Sequence, residues 1–148
     1  FRPDDPEYLK KVDRLLAVTD LVMLDIKHID PEEHIKLCQR PNDNILAFAR
    51  YLNDKGITMW IRHVVVPHLT MNKEYLYKLG LFIGQLKMVK ALDILPYHDM
   101  AKKKYKDLGM KYSLEDTPPA TKEMAMAARK IVLQGFKESR LKLLEEQK

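Results

Sequence analysis

Two oppositely charged residues, Asp25 and Lys27, close an otherwise apolar stretch near the start of the chain, DLVMLDIK at 20–27. Charged side chains are costly to bury unless they are paired or bind a ligand. Because ligands of α/β proteins bind at the carboxyl ends of strands, the stretch predicts a polar ligand site on a buried strand. A simple salt bridge between Asp25 and Lys27 is the alternative interpretation.

Arg62 and His98 place polar chemistry in or after two further apolar runs, WIRHVVVP and ILPYH. If the runs are parallel neighbours, Lys27, Arg62 and His98 can face one cavity. Two cations and an imidazole suit an anionic or hydroxylated ligand, with Asp25 neutralising part of the charge or holding a cation. Two alternatives stay open: Arg62 as a structural tether to a carboxylate, and His98 as an ordinary loop histidine.

Two other reactive residue types are interpreted as structural. Cys38 is the single cysteine, so it cannot form an internal disulfide, and one thiolate cannot hold an iron–sulfur cluster. His63 points opposite to Arg62, because side chains alternate along a strand.

The elements that must position these residues alternate between helix and strand. Strands are predicted at about 20–27, 57–66 and 91–95. Helix-start signals are found near residues 5, 30 and 42. Further helices are predicted at about 73–87, 102–108 and 121–134, with Gly135 ending the last one. Strands separated by helical crossovers predict an α/β fold with a parallel sheet. Because three strands leave edges and a face unprotected, we expect part of a larger sheet or barrel that self-associates when isolated.

The composition narrows the classes of function. A length of 148 residues suits one domain, and a net charge of +5, spread along the chain, does not predict nucleic-acid binding. No apolar run is long enough for a membrane helix, so no membrane partner is expected and a cytoplasmic location is predicted. The chain begins at Phe1 without an initiator Met, which suggests a piece of a longer protein.

The three motifs MLDIK, WIRHVVVP and LPYH, in this order and spacing, resemble the pyruvate formate-lyase activating enzyme family. These are radical S-adenosylmethionine enzymes that install a glycyl radical on a partner protein. The resemblance implies a partial (β/α)6 TIM-like barrel, of which residues 1–135 are the C-terminal half and 136–148 a charged tail, helical or frayed. The family's CxxxCxxC cluster loop and Gly-Gly-Glu strand are absent.

The resemblance also implies roles for individual residues. Asp25, Ile26 and Lys27 fall on the S-adenosylmethionine-binding strand. Arg62 falls at the same cofactor site, and His98 falls near the adenosine portion of the cofactor. Met23 and Asp25 fall at a monovalent cation site. No catalytic residue and no iron–sulfur ligand is expected in this chain.

The expected function follows from the family. The parent protein would use S-adenosylmethionine and a 4Fe–4S cluster to activate pyruvate formate-lyase or another glycyl radical enzyme, while this chain alone would be inactive and without a cofactor. The alternative is a stand-alone α/β module that binds a phosphate- or nucleotide-like ligand. One departure concerns a loop: family members usually follow Val-Pro with Gly and an Asp-containing turn, whereas this chain has His68 after Pro67.

Overall fold

The computed structural model describes residues 1–146, in which helices and strands alternate as the sequence predicts. In chain order the elements are α1 (Pro6–Leu16), β1 (Val22–Asp25), α2 (Pro31–Cys38), α3 (Asp43–Asp54), β2 (Met59–Val65), α4 (Lys73–Gln85), β3 (Val89–Pro96), α5 (Ala101–Asp107) and α6 (Lys122–Glu145). Asp5 and Asp30 cap α1 and α2 by accepting hydrogen bonds from backbone N–H groups of the first turn. Gln147 and Lys148, the last residues of the predicted tail, lie outside the described residues.

The strands found in residues 1–146 form one parallel sheet in the order β1-β2-β3. The predicted α/β fold with parallel strands and flanking helices is therefore confirmed. The register places Asp25 beside Arg62 and Arg62 beside Asp93. β1 ends at Asp25, so Lys27 follows two residues beyond the strand rather than inside it.

Helices cover one face of the sheet. Along β2, Met59, Ile61 and Val65 are fully buried on this face, where they join a core with apolar residues of α3, α4 and α6. The partners deepest in the core are Ala49, Leu52, Leu76, Leu79, Ile83, Ala128 and Val132. Burial of this apolar surface is the main favourable contribution to folding.

The helix α6 does not stop at Gly135, as the sequence interpretation expected, but continues to Glu145. Gly135 is needed for packing instead, because a Cβ at this position would lie 2.3 Å from the carbonyl oxygen of Tyr77 on α4. Gly80 makes the reciprocal approach, with its Cβ position 2.1 Å from the carbonyl oxygen of Val132. Neither α6 nor any other helix within residues 1–146 is long and apolar enough to cross a membrane.

The other face of the sheet is open. Met23 on β1, Trp60 on β2 and Leu95 on β3 expose 54%, 39% and 40% of their surfaces. On the covered face the apolar residues of β2 are fully buried, and those of β1 and β3 are partly buried against the core. Parallel sheets normally have both faces covered. The open face therefore has the character of an inner surface that the described chain leaves uncovered.

Candidate functional site

An ion cluster occupies the open face at the carboxyl ends of β1 and β2. The Asp25 carboxylate accepts a hydrogen bond from Lys27 Nζ at 2.8 Å through Oδ2 and another from Arg62 Nε at 2.7 Å through Oδ1. The salt bridge and the carboxylate tether that the sequence left open as alternatives are thus both present. Lys27 and Arg62 meet on one carboxylate, as the convergence of strand ends predicts.

Register and alternation together build this cluster. Asp25 and Arg62 are directly paired across the parallel strands, so their side chains leave the sheet on the same face. Lys27 returns to that face two residues after Asp25, because the chain stays extended past the end of β1. The intervening Ile26 sends its side chain, which has no exposed surface, into the core on the opposite face.

Electrostatics keep the Asp25 carboxylate ionised. Desolvation by burial acts to raise its pKa, but the hydrogen bonds and positive charges of Lys27 and Arg62 outweigh this effect and hold the pKa below its ordinary value. Two cations and one carboxylate leave the cluster with one unit of positive charge. Asp93, which is paired with Arg62 across β2 and β3, lies on the same face and offsets this positive charge.

The cluster can reach a ligand because one side of it faces solvent. The side chains of Lys27, Asp25 and Arg62 are 42%, 34% and 37% exposed. In residues 1–146 the Arg62 guanidinium makes its side-chain hydrogen bond through Nε, which leaves its two terminal nitrogens for an anion. A guanidinium presents such a pair of donors in the geometry that carboxylates and phosphates accept.

Ile26 has no polar group pointing to the open face. Its N–H donates to the Arg62 carbonyl oxygen at 3.0 Å, and its own carbonyl oxygen lies 2.7 Å from Nδ1 of the His63 ring. These two hydrogen bonds tie the main chain of Ile26, between Asp25 and Lys27, to residues of β2.

His98 and Met23 stand apart from the ion cluster. His98 is exposed in the segment after β3, and within residues 1–146 no hydrogen bond or ion pair joins it to Asp25, Lys27 or Arg62. Met23 precedes Asp25 by two residues on the same face, with 54% of its surface exposed. The structure thus brings Asp25, Lys27 and Arg62 into contact, with Met23 on the same face, and it does not bring His98 to them in the described residues.

Two residues of the open face were missed by the sequence interpretation. Trp60 is paired with Met23 and Ala91, and Asp93 is paired with Arg62. An apolar row of Met23, Trp60 and Ala91 thus lies beside a charged row of Asp25, Arg62 and Asp93. Alternation along β2 places Trp60 with Arg62, which was a usable signal, but the pairing of Asp93 required the register.

Metal-ligand chemistry is sparse in this chain. Within residues 1–146 no group of three His, Cys, Asp or Glu side chains is placed to hold a metal ion. Cys38 ends α2 half-buried, and burial raises the pKa of its thiol despite the positive charge of Lys27 nearby. A raised pKa lowers the thiolate fraction and with it the reactivity of Cys38.

Several proteins with similar sequences share one name. The chain is 48% identical over 128 residues to the pyruvate formate-lyase-activating enzyme of Listeria monocytogenes serovar 1/2a, a match that covers 86% of the chain and 52% of that protein. The enzyme of that name from Streptococcus mutans serotype c is 48% identical over 127 residues, covering 86% and 48%. The one from Staphylococcus epidermidis is 46% identical over 129 residues, covering 87% and 51%. No protein-family model matches the chain.

A solved structure supports the fold. A crystal structure of a domain of pyruvate-formate lyase-activating enzyme from Bacteroides vulgatus superposes with a TM-score of 0.67, covering 85% of this chain and 69% of that one at 18% identity. The chain spans about half the length of the curated relatives it matches. These findings confirm the resemblance stated from the sequence motifs.

Proposed function

As a relative of the pyruvate formate-lyase-activating enzymes that spans about half of their length, this chain is, we propose, the C-terminal half of such an enzyme. It would form part of a (β/α)6 barrel whose interior is the open face of the sheet. The proposal places the protein in the cytoplasm, with pyruvate formate-lyase or another glycyl radical enzyme as its partner.

The observation that carries this proposal is the partly exposed ion cluster of Asp25, Lys27 and Arg62 on the open face. Lys27 and Arg62 would hold the carboxylate of S-adenosylmethionine, which is the only anionic group of that cofactor. Met23 and Asp25 would border a monovalent cation beside it. His98 would reach the adenosine portion from the segment after β3.

The residues present fit S-adenosylmethionine but not an iron–sulfur cluster. The cofactor needs cationic donors for its carboxylate, and the free terminal nitrogens of Arg62 supply them. The cluster needs several thiolates, whereas Cys38 is the single cysteine of the chain. We therefore assign the 4Fe–4S cluster to no residue of this chain and expect the chain alone to be inactive.

In the parent enzyme, the reactive groups would be the cofactors rather than side chains of this chain. When bound together, S-adenosylmethionine and a reduced 4Fe–4S cluster would supply the one-electron radical chemistry that removes a hydrogen atom from a glycine of the partner. The residues of this chain contribute binding and orientation: Lys27 and Arg62 neutralise the cofactor carboxylate, and Asp25 holds both cations in place. The apolar row with Trp60 borders the site on the open face.

A chimeric enzyme tests this function. The full chain is joined in place of the matching region of the Listeria monocytogenes relative, reconstituted without oxygen, and mixed with pyruvate formate-lyase. We expect the glycyl radical signal in electron paramagnetic resonance. Arg62→Lys should lower its yield at least tenfold, because lysine cannot offer two parallel donors. The control, Arg14→Lys on the exposed side of α1, should leave the yield unchanged; a folded chimera without any radical contradicts the proposal.

The chain by itself provides a second test. Anaerobic incubation with iron and sulfide should give no stable 4Fe–4S absorbance, and titration with S-adenosylmethionine should release little or no heat. A stable cluster on this chain alone would overturn the division of roles proposed above. The alternative function, a stand-alone module for phosphate- or nucleotide-like ligands, predicts heat on titration with inorganic phosphate or a nucleotide and no radical from the chimera.

We also propose that the isolated chain self-associates through the open face. Its exposed Met23 and Trp60, with Leu95 on the far side of the charged row, present apolar side chains to water beside strand edges that are unpaired within residues 1–146. Light scattering should report a dimer or larger species. A clean monomer at high concentration would contradict this proposal.

A further inference from the structure

His63 lies directly beneath the ion cluster, on the covered face of β2. Its side chain is turned away from solvent, with 3% of the residue exposed, and its neighbour Arg62 points to the open face. Nδ1 of the ring lies 2.7 Å from the carbonyl oxygen of Ile26. Because a carbonyl oxygen can only accept, Nδ1 carries the proton and donates it to Ile26.

This hydrogen bond falls where the backbone ladder stops. β1 ends at Asp25, and the last backbone bond across to β2 runs from the Ile26 N–H to the Arg62 carbonyl oxygen at 3.0 Å. The His63 ring then supplies a donor to the next carbonyl, that of Ile26. Ile26 is thus held to β2 through both of its backbone polar groups, one by the main chain and the other by a side chain.

The contact matters for the site because Ile26 stands between its two charged residues. Side chains alternate along an extended chain, so the plane of the Ile26 peptide sets the direction in which Asp25 and Lys27 leave it. A rotation at this peptide would separate Lys27 Nζ from Asp25, which now lie 2.8 Å apart. The buried contact on one face therefore determines the geometry of the ion cluster on the other.

We propose that His63 is a positioning residue of the candidate site, which holds Asp25 and Lys27 toward the ligand by donating from Nδ1 to the Ile26 carbonyl oxygen. The proposal rests on the function proposed above for the ion cluster. It adds a residue that touches neither a cofactor nor the cluster, and that acts only through the main chain of Ile26.

The surroundings of the ring favour this single tautomer. Burial lowers the pKa of His63 to about 4, with the charges of His28 and Lys27 acting in the same direction, so the ring is neutral near pH 7. In the described residues Nε2 of His63 is buried without a hydrogen-bond partner. The single ring proton is stabilised at Nδ1, where the Ile26 carbonyl oxygen accepts it.

Two variants of similar size separate the hydrogen bond from the packing. His63→Asn places an amide nitrogen near the position of Nδ1 and keeps a donor, whereas His63→Leu keeps an apolar volume and removes it. Amide hydrogen exchange of the chain is read at the Ile26 N–H, which bonds to Arg62. The control is the Val22 N–H, which bonds to the Thr58 carbonyl oxygen at 3.0 Å at the opposite end of β1.

We expect exchange at Ile26 to accelerate at least about tenfold in His63→Leu and less than about threefold in His63→Asn, with the Val22 amide little changed in both. Equal acceleration at Ile26 and Val22 would show a purely global effect and overturn the proposal. So would an unchanged Ile26 in His63→Leu. If that variant does not fold, the ¹⁵N shifts of the wild-type ring decide: protonation at Nε2 instead of Nδ1 overturns it.

The chimeric enzyme connects this result to function. In the chimera, His63→Leu should weaken the binding of S-adenosylmethionine. At saturating cofactor it should lower the radical yield by a smaller factor. His63→Asn should keep most of the wild-type affinity. An unchanged affinity in His63→Leu contradicts the positioning role. A chimera that makes no radical with His63 intact contradicts the proposed function instead, while the exchange result on the chain stands by itself.

Discussion

The two faces of the sheet differ in what holds them. On the covered face, Met59 and Ile61 of β2 are fully buried among helices. On the open face, Trp60 and Arg62 alternate with them along the same strand and remain partly exposed. The positions of β2 that face the helices contribute to the core, whereas the positions between them carry the partly exposed Arg62 of the ion cluster.

The largest difference in the free energy of unfolding is expected between substitutions of two methionines, one on each face of the sheet. Met59 is fully buried and Met23 is 54% exposed. We expect Met59→Ala to lower the free energy of unfolding by about 3 kcal/mol, through lost burial and a cavity, and Met23→Ala by less than about 1 kcal/mol. Urea denaturation measures both. Equal losses would show that the open face is as much a core as the covered one.

Acid should lower the stability of the fold, because His63 on the covered face becomes protonated on unfolding. Its pKa is about 4 in the folded chain and about 6.5 when unfolded, so the unfolded chain binds the proton more readily. The stabilisation is complete above about pH 6.5 and is lost as the pH falls toward 4, by up to about 3 kcal/mol. Denaturation curves across this range measure it.

The matched variant for the pH effect is His63→Asn, which keeps the donor to Ile26 but cannot titrate. Its stability should fall less than that of the wild type between pH 6.5 and 4. Parallel pH profiles for the two proteins would show that other groups, such as His28, whose pKa is lowered mainly by burial, account for the loss.

A smaller effect should come from the close approach of α4 and α6 behind the covered face. A Cβ at Gly80 would lie 2.1 Å from the backbone carbonyl oxygen of Val132, and a backbone atom cannot move aside as a side chain can. Gly80→Ala should therefore destabilise by about 2 kcal/mol, although alanine favours helices. Lys78→Ala, on the solvent side of the same helix, should change the stability by less than about 0.5 kcal/mol.

The smallest effect on stability is expected in the loop between β2 and α4, at His68. His68 has a φ of 63°, a left-handed conformation that costs a residue with a Cβ about 1 kcal/mol. We expect His68→Gly to stabilise the chain by about 0.5 kcal/mol in thermal denaturation. Leu69→Gly, its neighbour without a positive φ, should destabilise; stabilisation by both would contradict the explanation.

Alternation and helix caps allowed much of the covered face to be predicted from the sequence. The strands around Asp25 and Arg62 and the parallel sheet follow from apolar runs separated by helical patterns. The stop expected at Gly135 was wrong, because a glycine that ends a helix and one that admits a neighbouring helix look alike in sequence. Only the approach of α4, with Tyr77 against Gly135, distinguishes them.

The candidate site was predictable in its residue types but not in its contacts. The meeting of Lys27 and Arg62 on Asp25 followed from strand ends that share one rim. The donation from His63 to Ile26 did not follow, because it depends on where the ladder between β1 and β2 ends. His98 lies in a segment beyond β3, where no register constrains it, and no contact joins it to the cluster among residues 1–146.

The most direct test of the account asks whether the ion cluster is a ligand site or a tether of the fold. S-adenosylmethionine affinity of the chimeric enzyme and the unfolding free energy of the chain are measured for wild type and Arg62→Leu. Because ion pairs this exposed contribute little to stability, we predict a loss of affinity of at least tenfold with a change in stability below about 1 kcal/mol. Full affinity together with a marked loss of stability would show that the cluster only ties β1 to β2.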